Sequence, residues 1–485
     1  MTDNLNIVRH FLYQAGLSPE FIAIEDRDQS YSYKQLDQLV RNYTAYYDDL
    51  GLYKGTKVIV LHPPCVELFA AILALLSKGC AVVFVEEWSK ISDITAACQT
   101  IQCDYIITGW KGKCIRLFNK TLRKLSLLNI HSVPKTENQS LSPVLMDDSS
   151  PAIISFSSGS SGASKAVVRT HGTLNAQFNA LKNHIKLADT NRMCTNFPVV
   201  ILLNLGLGIC TVLSENIVMS NLKKSKIGDL YNELLSKSVT HLAISPFLMI
   251  NLAIYSLNQS LKQLKFNQIL SGGSPIYPKY AEMLVAAFDC NHIDILYGSS
   301  EAEPIAACNA QSIVDNRGGR GLFAGKVDAA TQCIIGRVAD SKFQMSDVNS
   351  IGEILVSGDH VVKLYLNSDL AFQKNKISLD GVLWHRTGDY GYYDHNGSLF
   401  LTGQPIQTLN NQVLFDIEKS LVEIDGIDLG TILGNKAYIQ LSNHRYKSSV
   451  SQKLMELYPE LNAIQFLQLP LDRRHNGKIK YHLLK

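Results

Sequence analysis

From residue 56 the chain alternates short apolar runs with longer amphipathic ones. TKVIVLH (56–62), AVVFVEE (81–87) and DYIITG (104–109) are rich in Val, Ile and Phe and bounded by glycine or charge, which predicts strands covered on both faces. Helical patterns near 66–77 and 89–101 lie between them, at the spacing of parallel βαβ units. The alternation resumes with helices near 172–186 and 225–237, the apolar segment CTNFPVVILLNLGLGICTVL, THLAISP (240–246), a further helix, FNQILSGGSP (266–275) and HIDILYGSSE (292–301). From about residue 325 the pattern turns strand-rich, and the segment after Gly403 predicts a small α+β unit. The expected fold is α/β: a large N-terminal domain over 1–403, made of βαβ-layered sheets plus a strand-rich subdomain, and a small α+β C-terminal domain over 404–485.

Composition narrows the function classes. With 485 residues, 46% hydrophobic and 18% charged, the chain carries enough apolar material for a large core and for more than one domain, which excludes disorder. Its most apolar stretch, VELFAAILALLSKGCAVVFVEE, is interrupted at Lys78 and Gly79, short of the roughly 20 residues a membrane span needs. It reads as a buried helix followed by a buried strand. A net charge of +3 gives no general reason to expect a nucleic-acid partner, and the basic end LDRRHNGKIKYHLLK reads as a solvated tail. Ten cysteines occur singly without a CxxC pair, a pattern that fits neither a zinc site nor a disulfide framework. The start MTDNLNIVRHFLYQAG lacks the basic beginning and long apolar core of a signal peptide, so a reduced, cytoplasmic protein is expected.

Candidate chemistry begins at FSSGSSGASK (156–165). PAIISFSS reads as a strand entering a turn, and Gly159 and Gly162 permit backbone angles and approaches that side chains would block. Serial N–H groups, serine hydroxyls and Lys165 would then converge on a small volume, as in a polyphosphate cradle. It is not a Walker loop, because Lys165 is preceded by serine and followed by Ala166. The bland alternative is a flexible Gly/Ser linker. Its place between two apolar strands argues for the cradle.

Extended as far as Gly172, the segment FSSGSSGASKAVVRTHG resembles the phosphate loop of the ANL superfamily of adenylate-forming enzymes, with Ser164 and Ala166 in place of the usual proline and glycine. Five further segments resemble that superfamily's motifs in order: SGGSP (271–275), YGSSEAEP (297–304), IGEILVSG (351–358), RTGDYGYYDHNGSLFLTGQ (386–404) and NGKIKYHLL (476–484). YSYKQL resembles an early helix start of the same family. The resemblance implies a carboxylic acid activated by ATP and Mg²⁺ to an acyl-adenylate with release of pyrophosphate. It assigns ATP binding to Ser157, Ser158, Gly159, Ser160, Ser161, Gly162, Lys165, Gly272, Gly273, Ser274, Tyr297, Gly298, Ser299, Ser300, Asp389 and Gln404. Glu301 would hold Mg²⁺, with Ser158 as a second metal candidate, and Glu301 and Lys478 would be catalytic. Tyr297 would stack on adenine and Asp389 would receive the ribose hydroxyls. His171 and Trp384 stand evenly between packing residues and supports of the site.

FPVVILLNLGLGICTVL, WHRTGDYGYYDHNGSLF and LPLDRRHNGKI look most like the branch containing the olefinic β-lactone synthetases and related long-chain acyl ligases. That branch implies an aliphatic or fatty acid, and either transfer of the acyl group to coenzyme A or carrier-protein phosphopantetheine, or closure to a β-lactone. Partners would be a small carboxylic acid and an acyl carrier protein, with residues 404–485 as a mobile lid bearing Lys478. Two departures stand out. Gln404 replaces the family's arginine, and PIQTLNNQVLFDIEKSL lacks its lysine-rich, glycine-containing loop. With Ser164, they motivate an alternative, a degenerate relative that binds nucleotide or acyl ligand without full turnover.

Overall fold

The computed structural model describes residues 4–85, 91–131, 133–136, 141–158, 164–188, 190–218, 221–259, 264–339, 342–366 and 368–484. Two compact units divide the chain: the first takes residues 1–244, 300–303 and 358–376, the second 245–299, 304–357 and 377–485. No helix among the described residues is long and apolar enough to cross a membrane.

In the first unit seven strands run in the order Leu364–Leu366, Ser164–Thr170, Pro151–Ser158, Ala81–Phe84, Lys57–Leu61, Tyr105–Thr108 and Ser126–Leu128. The five from Pro151–Ser158 onward pair in parallel, as the βαβ spacing predicts, while the first two join antiparallel. Such strands must be covered on both sides. One cover is Val66–Ser77, whose residues are buried throughout except Glu67, and which packs with Tyr33, Leu36 and Val40 of the helix Tyr33–Asp49. That second helix begins where YSYKQL predicts: Ser32 and Gln35 close a reciprocal capping box. Further strands, His241–Ala243, Arg192–Cys194, Cys210–Leu213 and Ile22–Asp26, also pair in parallel, and Ile22–Asp26 closes a hairpin with Gln29–Ser32. The apolar segment around residue 200 resolves into a helix, Pro198–Leu207, between two of these strands.

The second unit is largely antiparallel. Gln332–Ala339, Gly352–Ser357, Val382–Tyr393, Leu399–Gly403 and Leu322–Val327 form successive pairs, and Gln268–Gly272 lies parallel to Ile293–Ser299. Residues after Gly403 build a three-stranded sheet from Ile427–Leu433, Lys436–Leu441 and Ala463–Phe466. Helices Leu414–Glu423 and Lys447–Leu457 bury Ile417, Leu421, Val450 and Leu454 against Ile432 and Ile439 of that sheet. The α/β expectation therefore holds, including the α+β character of the last segment. All ten cysteines are free.

Candidate active site

In the first unit the serine loop is framed by two antiparallel strands that hold Ser157 opposite Lys165 and Ser158 opposite Ser164. Gly159, Ser160, Ser161 and Gly162 lie outside the described residues, as do the side chains of Ser157 and Ser158. Lys165 is half-buried and donates to Asn375 Oδ1 at 2.9 Å. Burial lowers its pKa; Glu301 acts in the opposite direction and Lys374 in the same one.

Glu301 is buried, and its main-chain carbonyl accepts from Val362 N–H at 2.7 Å. A second lysine, which no sequence motif marks, shares this neighbourhood. Lys376 is only 6% exposed, donates to Val362 O and lies 5.7 Å from the centre of the Tyr365 ring. Burial pushes its pKa down to about 8 against the pull of Glu301. The Tyr365 phenol is driven up by burial and by the same carboxylate. Arg169, also buried, donates to Ser155 Oγ at 3.0 Å and to Ser300 O at 2.7 Å, fixing the backbone just before Glu301. Glu301 thus has cations near it on the protein side. Among the described residues no three metal-ligating side chains gather.

In the second unit the Gly272–Ser274 turn ends the strand Gln268–Gly272. A Cβ on Gly272 would lie 2.5 Å from Leu296 O, and one on Gly273, at φ +92°, would lie 2.5 Å from the His475 ring. A Cβ on Gly477 would lie 2.4 Å from Ser274 Oγ. Glycines in two motifs far apart in sequence therefore serve one contact: the bare Gly273 backbone receives the His475 ring, and the bare Gly477 backbone receives the Ser274 side chain.

Asp472 shapes that loop. Its Oδ2 accepts from His475 N–H at 2.8 Å, and its Oδ1 accepts from Gly477 N–H at 3.1 Å and Lys478 N–H at 2.8 Å. Its own N–H donates to Lys478 O at 2.8 Å, while Asn476 takes a left-handed φ of 50°. The Lys478 side chain is exposed, carried on a backbone that is fixed. Burial, reinforced by Arg474 and Lys478 and opposed by Asp472, pushes the His475 pKa down to about 3, so its imidazole is neutral. Tyr297 donates to Asp389 Oδ2 at 2.9 Å, and the Asp389 amide donates to Thr387 Oγ1 at 3.1 Å. Burial, with Asp389 beside it, holds the Tyr297 phenol well above its usual pKa.

Other expected residues are placed less tellingly. Gly298 and Ser299 lie in the strand Ile293–Ser299, and the Ser300 carbonyl is taken by Arg169. Gln404 is exposed, with its carbonyl accepting from Ile406 N–H at 2.8 Å. His171 is buried and accepts from Ile7 N–H at 3.1 Å; burial pushes its pKa down to about 4, making it a neutral tie for the N-terminal segment. Trp384 is buried within its strand. The helix Pro198–Leu207 lines, with Val199, Leu202 and Leu203, an apolar cavity of about 40 Å³ that Phe178 and Gln177 also face.

The residues marked by the sequence thus fall in two places: Lys165 and Glu301 in the first unit, and the Gly272–Ser274 turn, Tyr297, Asp389 and Lys478 in the second. The sequence matches the AMP-binding enzyme family over residues 11–366, and the chain belongs to that family; with named ligases and synthetases among its relatives, it is an AMP-forming ligase. It is 24% identical to an olefin beta-lactone synthetase of Xanthomonas campestris pv. campestris, over 93% of this chain and 90% of that protein. It is 25% identical to a 2-succinylbenzoate–CoA ligase of Oceanobacillus iheyensis, over 87% of this chain and 85% of the relative. The fold is similar to O-succinylbenzoate coenzyme A synthetase from Bacillus subtilis in complex with ATP and a magnesium ion, with a TM-score of 0.79 and 17% identity over 98% of this chain and 99% of that one.

Proposed function

We propose that this enzyme activates an aliphatic carboxylic acid with Mg²⁺-ATP, giving an acyl-adenylate and pyrophosphate. A carboxylate oxygen attacks the α-phosphorus, the bond from that phosphorus to the bridging oxygen breaks, and pyrophosphate leaves with the electron pair. Two anions must meet, so the protein has to supply positive charge where it develops. In this reading Lys478 neutralises the charge at the α-phosphate, and the serine loop with Lys165 receives the β- and γ-phosphates. Glu301 would hold Mg²⁺, which would neutralise phosphate oxygens. Asp389, oriented by Tyr297, receives the ribose hydroxyls.

The observation that carries the reading is the clasp of the HNGK loop on the SGGSP turn, three Asp472-held amides presenting Lys478 beside the segment assigned to adenine. The aliphatic preference rests on the apolar helix Pro198–Leu207, and the metal and nucleotide draw support from the ATP- and magnesium-bound structural relative. The second half-reaction is transfer to the thiol of coenzyme A or of carrier-protein phosphopantetheine, or attack by the substrate's own β-hydroxyl to close a β-lactone. Residues 404–485 act as the lid between the two steps, and the free cysteines fit a reducing cytoplasm. The test is pyrophosphate release from Mg²⁺-ATP across acetate, aromatic, medium-chain, long-chain and β-hydroxy acids. Release confined to the longer aliphatic or β-hydroxy acids supports the proposal. ATP binding without release for any acid would favour the degenerate relative.

A further inference from the structure

One buried carboxylate has no part in the adenylation chemistry proposed for this enzyme. Glu418, in the helix Leu414–Glu423, is 1% exposed and has both oxygens engaged: Oε2 accepts from Tyr277 OH at 2.7 Å and Oε1 from Tyr481 OH at 2.8 Å. Tyr277 stands three residues beyond Ser274, and Tyr481 three residues beyond Lys478. A single side chain therefore ties the backbone behind the adenine-facing turn to the backbone behind the lysine loop. Neighbouring bonds dock the same surfaces: Lys279 Nζ donates to Val422 O at 2.7 Å, and Tyr280 OH donates to Asp428 O. Val422, Tyr277, Leu469 and Ile479 pack in one apolar cluster around these ties.

Nothing in packing alone calls for an acid here. Burying an ionisable group is costly, and an apolar side chain of the same size would fill the space at less expense in free energy. What the carboxylate adds is direction, since two acceptors set at a fixed angle hold two hydroxyls in one arrangement.

We infer that Glu418 is a positioning residue for adenylation, holding the Lys478 loop in register with the Gly272–Ser274 turn; the inference rests on the role proposed for Lys478. Its effect is on the step in which Lys478 meets the α-phosphate, so it belongs to kcat more than to substrate affinity.

The experiment compares the full-length protein with Glu418→Gln, Tyr277→Phe and Tyr481→Phe. It measures carboxylate-dependent ATP–pyrophosphate exchange, thermal stability, and amide hydrogen exchange over residues 271–281 and 472–481. Glutamine keeps the size but replaces one acceptor oxygen by a donor NH₂, so the two tyrosine hydroxyls can no longer both donate to it. The expected result is a kcat lowered about tenfold with KM for ATP changed less than about threefold. Each phenylalanine variant should lose less, and adding either to Glu418→Gln should cost little more, because all three act through one node. Hydrogen exchange should accelerate together in the two segments. Unchanged kcat in folded Glu418→Gln, or a loss tracking only the unfolded fraction, would overturn the inference. If wild type exchanges no pyrophosphate, the functional reading fails instead. Hydrogen exchange then decides the positioning claim alone: coupled acceleration supports it and unchanged protection refutes it.

Discussion

The two units hold their positive charge by opposite means. In the first, Lys376 is immersed: its ammonium is desolvated, bonded to a carbonyl and set near Glu301, and Lys165 is partly so. In the second, Lys478 is exposed, and order is imposed on its backbone through Asp472 and the Gly273–His475 and Ser274–Gly477 contacts. A buried cation is a standing feature of the field around Glu301, already stripped of water. An exposed lysine on a rigid loop keeps its water, and what the fold fixes is the backbone that carries it. In the function proposed above, the first unit's groups would bind anionic phosphate and Lys478 would deliver charge to the reacting phosphorus.

The sharpest way to break the comparison is to loosen the loop without touching its lysine. Asp472→Ala removes acceptors from three amides and should lower kcat for pyrophosphate release on the order of 100-fold, since a displacement of about 1 Å at a reacting group carries a cost of that size. Steady-state kinetics check it, and Asp472→Asn, which keeps one acceptor oxygen, should recover part of the loss.

Buried charge should instead be read in stability. Glu418 has its carboxyl raised from 4.5 to about 7, with burial the chief cause and Tyr277, Tyr481 and Thr431 opposing. The folded state then binds the proton more tightly than the unfolded chain does. Its stabilising share is complete below pH 4.5 and is lost as pH rises to about 7, amounting to roughly 3 kcal/mol. Denaturant titrations across that interval should show the decline in wild type and its absence in Glu418→Gln.

Smaller effects are expected where charge serves binding. Lys376→Met keeps the packing volume and removes the ammonium, so KM for ATP should rise about fivefold with kcat altered less. Gln404→Arg, restoring the charge that the family resemblance implies, should lower KM for ATP about threefold. Both are measured at saturating acid.

Much of this was legible in the sequence, for a reason that also explains what was not. The helix at 66–77 and the strands near 56–62, 81–87 and 104–109 stand where the apolar runs put them, because burial on both faces leaves a periodic mark. The motif residues were recognisable because their spacing along the chain is itself the signal. Lys376 and Glu418 leave no such mark, and Arg169 and Asp472, although inside matching segments, are given no role by them. Lys376 follows Lys374 in a polar stretch and looks like surface charge; only the fold carries it under Tyr365. Asp472 stands beside Arg473 and Arg474 in what reads as a solvated tail, although the loop depends on its carboxylate. The asparagines of PIQTLNNQ take the left-handed backbone at φ 51° and 55°, so the turn exists without the glycine the family pattern led one to seek.

The central claim is that Lys478 supplies charge to the reacting phosphate while the first unit's groups bind it. Carboxylate-dependent ATP–pyrophosphate exchange in Lys478→Ala, alongside ATP binding to the same protein, tests this directly. The account predicts exchange reduced at least about 100-fold with ATP affinity within about threefold of wild type. Exchange that persists at the wild-type rate, or a loss explained wholly by weakened ATP binding, would contradict it.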